Sequence, residues 1–258
     1  METETPLPRW FTALLAHRRW VRRTRPFSHI YVREVFTPGF YTRLAAEYER
    51  VRTDRPELFA KVAQNYGATG ASLSELRDGP LEIFLSRAWH DLIAGVAGVS
   101  DVTGDVEGSV HHHPPGSPRG WPHSDLAPAW FRAQPPGEHG VGLPDPGIDL
   151  KTGARTPGVD ARELVRAVAV LFYLGNPDWQ PGHGGETGLY SAIGAPNPQP
   201  TVYVPPLNNS MIVFECTPRS WHAFAGGNTA ARNSVVMWLH QPREQAVRRW
   251  EGAGIAEW

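Results

Sequence analysis

Cysteine is almost absent from this chain of 258 residues, in which Cys216 is the only one. A single thiol cannot form a disulfide bond within the chain, which excludes the class of small domains stabilised by disulfides. Chains without structural disulfides are typical of reducing compartments. We therefore expect a cytoplasmic protein.

Lysine is nearly as scarce, since Lys61 and Lys151 are the only two among 25 basic residues. Such a preference for arginine is typical of a GC-rich coding genome and does not by itself indicate a function. The formal net charge of -1 provides no overall field that would attract nucleic acid, and we expect no nucleic-acid partner. An N-terminal cluster of arginines is interpreted as a solvated basic face: Arg18, Arg19, Arg22, Arg23 and Arg25.

Long apolar runs are also missing. No uninterrupted apolar stretch approaches the roughly 20 residues that a helix needs to cross a bilayer. No apolar stretch of signal-peptide length follows the N-terminal arginines either. We therefore expect neither a membrane partner nor an export signal, and the sequence leaves the oligomeric state open.

The residues that are present fit one domain over 1–258, because 41% of them are hydrophobic and can fill a sizeable core. Residues 1–105 are expected to be mostly helical and to support a β core over 106–240. A Pro- and Gly-rich stretch at about 126–160 is predicted to be a substrate lid, because structureless segments of that length in compact domains usually serve binding. Residues 241–258 are left as a C-terminal tail.

Two helices are predicted in the first part of the chain. Thr37 is a suitable N-cap and Pro38 a suitable first residue for one of them. The second should begin near Pro80 and end near Gly98. Both carry an apolar stripe, so we expect them to cover a sheet.

Three apolar segments of strand length follow, over residues 166–174, 209–214 and 233–239. Turns rich in Gly and Pro separate them. Short strands between such turns are typical of a sandwich or a jelly roll.

The strongest chemical signal is a set of metal-ligand side chains. His123 and Asp125 are two residues apart, so in a strand both side chains leave from the same face. His222 follows far downstream, at the end of another predicted strand. Two imidazoles and one carboxylate on one face of an octahedron leave three positions open, the arrangement that suits non-haem Fe(II) enzymes. The pattern therefore predicts an iron site at His123, Asp125 and His222.

Arg232 follows His222 by ten residues and opens the last predicted strand. A guanidinium group binds a carboxylate through two parallel hydrogen bonds and keeps its charge at any working pH. This position suits the carboxylate of a dicarboxylate cosubstrate that chelates iron through its other end.

Several motifs agree in order and spacing with one known family. They are His113-Pro-Pro-Gly116 before His123-Ser-Asp125, Arg166 with Tyr173-Leu-Gly175 before Gly184-Gly185-Glu186, and His222 before Arg232-Asn-Ser234. Over about residues 106–240 the chain resembles the 2-oxoglutarate/Fe(II) dioxygenase superfamily, and more narrowly its prolyl 4-hydroxylase-like branch.

This resemblance implies a mainly β fold, a double-stranded β-helix (jelly roll) with N-terminal flanking helices. It implies Fe(II), 2-oxoglutarate and O2 as cofactor and cosubstrates, with iron at the three residues named above. Arg232 would bind the distal carboxylate of 2-oxoglutarate, with the hydroxyl of Tyr173 beside it. His113 stands where many relatives carry a tyrosine near the cosubstrate. Asp125 favours hydroxylation, because relatives that halogenate replace this carboxylate with a small residue.

Three consecutive histidines, His111 to His113, also resemble a metal tract. Alternation along a strand sends His111 and His113 to one face and His112 to the other, so they cannot all bind one ion. We expect His113 near the cosubstrate.

Aromatic and cationic residues near the motifs are candidates for contact with substrate. They are Arg119, Trp121, Trp130, Arg132, Trp179 and Trp221. Such a set suits a small molecule with a carboxylate or an aromatic ring.

Three functions stay open at this point. The first is hydroxylation of a small molecule, such as an amino acid derivative or a secondary metabolite. The second is hydroxylation of proline in a protein or peptide. The third is a non-catalytic jelly roll that binds a ligand, which the complete set of ligands and Arg232 disfavours.

Overall fold

The computed structural model describes residues 7–64, 66–252 and 254–255. Its helices and strands are, in chain order, α1 (Arg9–Thr12), β1 (Val21–Arg23), β2 (His29–Arg33), α2 (Pro38–Asp54), β3 (Ala60–Lys61), β4 (Thr69–Ser72), α3 (Arg87–Ala97), β5 (Val106–His113), β6 (Pro128–Arg132), β7 (Ala161–Tyr173), β8 (Thr187–Leu189), β9 (Val202–Val204), β10 (Ser210–Glu215), β11 (His222–Phe224), β12 (Arg232–Pro242) and α4 (Arg243–Trp250). Short 3-10 helices lie at Pro56–Leu58, Leu73–Glu75 and Pro80–Leu85.

A nine-stranded antiparallel sheet forms the larger layer, in the order β1-β2-β10-β7-β12-β5-β4-β3 with β6 also paired to β7. Its central strands are buried on both faces. In β7, Val170 and Phe172 pack into the core on the helical side, whereas Ala169 and Leu171 pack into a second core on the opposite side. This alternation explains why the strand is apolar throughout, because neither face reaches water.

A three-stranded sheet, in the order β11-β8-β9, faces the second core. An isolated antiparallel bridge between His123 and His222 adds one further extended segment to it. Two antiparallel sheets packed face to face form a jelly roll, so the predicted mainly β fold class is confirmed. The space between the two sheets holds the candidate site.

Helices α2 and α3 cover the outer face of the larger sheet. Helix α2 begins at Pro38 after Thr37, as predicted, and α3 ends at Gly98 in the left-handed conformation, with φ 72°. The second helix starts later than predicted, at Arg87 instead of near Pro80. The reason is Ser86, which is extended and whose hydroxyl accepts the Trp89 N–H, so the residues before it form only a 3-10 helix.

The segment before residue 106 also contributes strands β1 to β4, which the helical expectation did not include. Strand β4 pairs with β5 and brings the loop around Tyr66 to the edge of the candidate site. The predicted tail over 241–258 contains helix α4. No helix among the described residues is long and apolar enough to cross a membrane.

The stretch at 126–160, predicted to be a lid, is only partly a loop. Its first residues form β6, which pairs with β7. The remaining loop is joined to the residue before β5 by a bridge between Asp105 and Gly142, and an internal bridge between Ile148 and Arg155 closes its later part. Three residues of this loop, Pro144, Leu150 and Lys151, line the cavity described below. Of the predicted lid, this is the part that reaches the site.

Candidate metal centre and active site

A cavity of about 510 Å³ lies between the two sheets. Both sheets, the hairpin of β3 and β4 and the loop after β6 contribute to its walls. The lining residues that matter for chemistry are Lys61, Tyr66, Glu107, His111, Trp121, His123, Asp125, Lys151, Arg166, Thr187, His222, Arg232 and Trp238. Its volume is that of a typical small-molecule site.

His123, Asp125 and His222 meet in this cavity. One ligand atom from each of the three residues lies within 4.8 Å of the other two. Asp125 Oδ1 is 3.5 Å from His123 Nε2, and Asp125 Oδ2 is 3.3 Å from His222 Nε2. The two histidines are also paired through their backbones, with N–H to carbonyl distances of 3.0 and 2.9 Å. This pairing, rather than a regular strand around residues 123–125, holds residues from distant parts of the chain together.

The hydrogen bonds of the two imidazoles leave the same nitrogen available for a metal. His123 Nδ1 lies 2.9 Å from the Trp121 carbonyl oxygen, and His222 Nδ1 lies 3.1 Å from that of Ser220. A carbonyl oxygen only accepts, so each Nδ1 carries a proton, and each Nε2 is the ring nitrogen that faces Asp125. Metal-binding histidines are held in this way in general. The donor set therefore fits a divalent metal with open positions.

Asp125 is buried and is oriented by two neighbours. Trp238 Nε1 donates a 2.8 Å hydrogen bond to Asp125 Oδ2, and Arg166 Nη1 lies 3.9 Å from Oδ1. Burial would raise the pKa of Asp125, but the cationic form of His222 and the nearby His123 and Arg166 lower it well below its usual range. The same pairing raises the pKa of His222 against the effect of burial. Asp125 is thus a carboxylate in this site.

Arg232 is 3% exposed and forms the second chemical feature of the cavity. Its Nη1 donates to Ser234 Oγ at 2.9 Å and its Nη2 to Thr187 Oγ1 at 3.0 Å. Its Nε is buried without a hydrogen-bond partner among the described residues, and no described carboxylate forms an ion pair with the group. A buried cation without a counter-ion is costly, so this site fits an anion.

The Arg232 guanidinium packs over the Tyr173 ring. The guanidinium carbon lies 5.0 Å from the Tyr173 ring centroid, and the Tyr173 hydroxyl lies 2.7 Å from Thr187 Oγ1. Thr187 therefore stands between the Tyr173 hydroxyl and the guanidinium, a position that the sequence motifs did not indicate.

His113 is fully buried beside the cavity rather than in its lining. Its ring stacks on Phe224 with centroids 4.0 Å apart, and its Nε2 lies 3.5 Å from the Tyr66 hydroxyl. Burial and then the Arg232 charge lower the pKa of His113 to about 2, so the ring is neutral. As alternation along β5 requires, His111 lines the cavity, and His112 points away and bonds to Asn233. A tyrosine, Tyr66, thus reaches this region from another part of the chain.

The residues predicted to contact substrate are scattered in the structure. Trp121 lines the cavity and is 45% exposed. Arg119 instead bonds to the Tyr190 hydroxyl, and Trp130 packs over Gly153. Arg132 is exposed and forms an ion pair with Asp145.

The last two of these residues also lie outside the cavity lining. Trp179 donates through Nε1 to the Gly184 carbonyl at 2.9 Å, which fixes the turn before β8. The Trp221 carbonyl accepts the Tyr190 N–H at 2.9 Å, and its side chain is not among the lining groups.

Sequence reasoning missed several lining residues. Glu107 and Arg166 form an ion pair in the cavity lining, with Arg166 Nη2 2.9 Å from Glu107 Oε1. The Arg166 guanidinium carbon also lies 3.8 Å from the centroid of the Trp238 ring. Position 107 shares a face of β5 with His111, so alternation from the histidine tract could have placed it in the site. Lys61 enters from a hairpin whose pairing no local pattern indicates.

Comparison with known proteins agrees with this geometry. Residues 153–240 match the model of the 2OG-Fe(II) oxygenase superfamily, a segment that includes His222 and Arg232. The chain is 30% identical over 122 residues to the prolyl 3,4-dihydroxylase OGFOD1 of Ostreococcus tauri, over 43% of this chain and 24% of that protein. The chain thus spans about a quarter of the length of that curated relative.

Solved structures share the fold. A prolyl-4-hydroxylase of Pseudomonas putida aligns with a TM-score of 0.55 at 20% identity, over 83% of this chain and 92% of that one. The epimerase SnoN from nogalamycin biosynthesis, described as dependent on alpha-ketoglutarate, aligns with a TM-score of 0.57 at 14% identity, over 85% and 78% of the two chains. Members of the matched family use Fe(II), 2-oxoglutarate and O2. The chain is therefore similar to the 2OG-Fe(II) oxygenase superfamily over residues 153–240, and it shares its fold with a prolyl 4-hydroxylase.

Proposed function

We propose that this protein is an Fe(II)- and 2-oxoglutarate-dependent dioxygenase that hydroxylates an unactivated C–H bond of a small molecule. One observation carries the proposal. A buried guanidinium without a carboxylate partner among the described residues lines the same cavity as a His-Asp-His cluster. A dicarboxylate that chelates a metal at one end and needs a cation at the other fits this pair of sites.

The residues divide into two groups by role. His123, Asp125 and His222 would hold Fe(II) through two Nε2 atoms and a carboxylate oxygen. Arg232 would bind the distal carboxylate of 2-oxoglutarate, with the Thr187 hydroxyl as a second donor and Tyr173 behind it. When bound together, iron and 2-oxoglutarate would activate O2, which is the oxidant: one of its oxygen atoms would enter the substrate C–H bond as a hydroxyl group, and the other would enter succinate as 2-oxoglutarate loses CO2.

The chain's own contribution is to position the reactants and to exclude water. Trp238 and Arg166 keep Asp125 in one orientation and in the charged state. Leu171, Val236 and Phe224 provide apolar walls between the two charged sites. Tyr66, which lines the cavity, is suited to give the hydrogen bond that a tyrosine near the cosubstrate provides in many relatives.

The cavity favours a small molecule as the substrate. Its volume of about 510 Å³ suits a compact ligand, and the loop after β6 and the hairpin of β3 and β4 narrow it from two sides. The fold is shared with SnoN, an epimerase from nogalamycin biosynthesis, and a role in secondary metabolism is part of the proposal.

Prolyl hydroxylation of a peptide is the second candidate. It is favoured by the sequence similarity to a prolyl 3,4-dihydroxylase. It requires that an extended chain enter between Trp121 and the loop that carries Lys151, both of which line the cavity.

The test is a set of turnover assays. We expect succinate formation from 2-oxoglutarate that depends on Fe(II) and is lost in His123→Ala. Incubation with a metabolite panel should give a mass increase of one oxygen in a small molecule, whereas proline peptides should stay unchanged. Oxidation of the peptides alone would support the second candidate, and absence of any metal-dependent turnover would support a non-catalytic binding protein.

A further inference from the structure

One wall of the active-site cavity carries uncharged polar side chains. Ser109 and His111 leave β5 on the same face, and Ser72 on β4 lies directly opposite Ser109. Directly opposite residues of an antiparallel pair are about 5 Å apart at Cβ, so the three side chains are neighbours. These three residues form the polar wall, and all of them line the cavity. The function proposed above gives none of them a role.

His111 has one ring nitrogen that no described residue uses. The side chain is 7% exposed, and its Nε2 lies 2.8 Å from Ser109 Oγ. Its Nδ1 has no hydrogen-bond partner among the residues that the structure describes. A polar atom on so deeply buried a side chain costs free energy unless a group inside the cavity bonds to it. This nitrogen therefore points to a ligand.

The pair of Ser109 and His111 is able to donate or to accept. Burial, followed by the Arg232 charge, lowers the pKa of His111 to about 3, so the ring is neutral and carries one proton. When the Ser109 hydroxyl donates to Nε2, Nδ1 carries the proton and donates to a ligand. When Nε2 donates to Ser109, Nδ1 accepts instead. A hydroxyl group, which both donates and accepts, matches the pair in either state.

The strand beside His111 leaves room for the imidazole. Gly70 stands opposite His111 in the register of β4 and β5. A Cβ atom at Gly70 would lie 3.1 Å from His111 Cδ2 and 3.1 Å from the Val110 carbonyl oxygen. Glycine inside a strand often marks a close approach of this kind. The missing side chain thus lets the imidazole lie against the backbone of β4.

The buried charges of the cavity are already paired or assigned. Glu107 accepts two hydrogen bonds from different nitrogens of Arg166. Under the proposed function, Asp125 binds the metal and Arg232 binds 2-oxoglutarate. The two lysines of the lining are exposed to solvent, where water and salt screen their charge. A charged substrate would therefore enter the interior without a buried partner, which is unfavourable.

We propose that Ser72, Ser109 and His111 bind hydroxyl groups of an uncharged small-molecule substrate. This inference rests on the proposed function and names the substrate class. Strand β5 separates β4 from β12, which carries the buried guanidinium, so the polar wall extends toward the edge of the sheet and away from the 2-oxoglutarate position. The apolar lining, which includes Leu150 and Trp121, suits the carbon skeleton of the same ligand.

The experiment measures binding without turnover. The protein is loaded with Zn(II) and 2-oxoglutarate, which is diamagnetic and does not react. The probe is phenyl β-D-glucopyranoside. Its first control, 2-phenoxytetrahydropyran, has the same two rings without hydroxyl groups, and its second, phenyl β-D-glucuronide, adds a carboxylate. Calorimetric titration gives the affinities. Histidine labelled with ¹⁵N in the ring gives NMR signals, and His111→Phe assigns the signals of His111.

We expect the glucoside to bind at least about tenfold more tightly than either control and to shift the Nδ1 signal of His111. Its affinity should fall about tenfold in His111→Phe, as expected for loss of a buried hydrogen bond. The loss should be smaller in His111→Asn, whose amide places a polar atom near the position of Nδ1. Ser72→Ala and Ser109→Ala should each weaken binding about threefold or more. His139→Phe removes an exposed imidazole and should change nothing.

Equal affinity for the glucoside and 2-phenoxytetrahydropyran, or tighter binding of the glucuronide, would refute the inference. Unchanged affinity for the glucoside in the variants of all three polar-wall residues would refute it as well. The proposed function fails differently, through the absence of Fe(II)-dependent succinate formation while the His111 signal still responds to the glucoside.

Discussion

At the scale of single residues, the site depends on side chains that do not touch the metal position. Asp125 has two oxygens, and Trp238 donates to one of them while Arg166 lies near the other. The guanidinium of Arg166 in turn lies on the Trp238 ring and binds Glu107 in two places. A carboxylate that is fixed in this way has little freedom to rotate away from a metal, and partners of this kind contribute to metal affinity.

Trp238→Phe should weaken metal binding by about tenfold, because the ring is kept while the N–H that holds Asp125 Oδ2 is lost. Titration with Mn(II), followed by electron paramagnetic resonance, measures this affinity. The matched control is Trp89→Phe, which also loses a hydrogen bond from a buried indole, to Met237 on the other side of the sheet. Equal metal affinity in both variants would show that the indole does not position the carboxylate.

Arg232→Lys should weaken 2-oxoglutarate binding by at least about tenfold, although the charge is kept, because an ammonium group cannot form two parallel hydrogen bonds with a carboxylate. Arg232→Met should weaken it by about a hundredfold, since charge and donors are both lost. Calorimetric titration of the Mn(II)-loaded protein with 2-oxoglutarate gives both values. Unchanged affinity in Arg232→Met would mean that the buried cation serves another anion.

At the scale of elements, strand β12 shows how one segment serves both core and site. Val235, Met237 and Leu239 pack into the core under the helices, whereas Arg232 and Trp238 line the cavity. Because strand side chains alternate, a shift of one residue in register would place the guanidinium and the indole in the apolar core. Pairing with β5 on one side and β7 on the other fixes this register.

The two principal helices differ in how their N-termini are capped, which gives a prediction. Ser86 accepts the Trp89 N–H through its hydroxyl, whereas Thr37 makes no side-chain bond at the start of α2. Ser86→Ala should therefore lower the free energy of unfolding by about 1 kcal/mol, and Thr37→Ala by clearly less. Urea denaturation of both variants measures the difference. An equal loss in the two would contradict the capping geometry.

At the scale of the whole molecule, the cavity joins parts of the chain that are far apart in sequence. His123 lies between β5 and β6. His222 is the first residue of β11 in the smaller sheet, and Arg232 is the first residue of β12 in the larger sheet. A ligand that binds all of them should stabilise the folded state, because unfolding separates its binding groups.

Addition of a divalent metal should therefore raise the midpoint of thermal unfolding. At a metal concentration of about 100 times Kd, the expected stabilisation is about 2.7 kcal/mol, or roughly 5–10 °C for a chain of this size. Differential scanning calorimetry with Mn(II) tests this. His222→Ala should abolish the rise, and His139→Ala, which removes an exposed histidine, should keep it. A rise that persists in His222→Ala would indicate that the metal binds elsewhere.

Much of the fold could be read from local patterns. The apolar runs of β7, β10 and β12 and the Gly and Pro turns between them predict the sheets, and Thr37 and Gly98 mark one end of each principal helix. The start of α3 could not be read in this way, because an apolar stripe from residue 80 onward continues through both a 3-10 helix and an α-helix. The hydroxyl of Ser86 decides between them.

The sequence by itself determined the chemistry that the site offers: the two imidazoles, the carboxylate and the guanidinium, because residue types and their spacing fix which donors exist. Only the tertiary structure decided which other side chains share the cavity. Lys61 enters it because β3 pairs with β4 and β4 pairs with β5, from a later part of the chain. Local periodicity carries no information about such pairings, since it records which face of an element is buried and not which segment lies opposite.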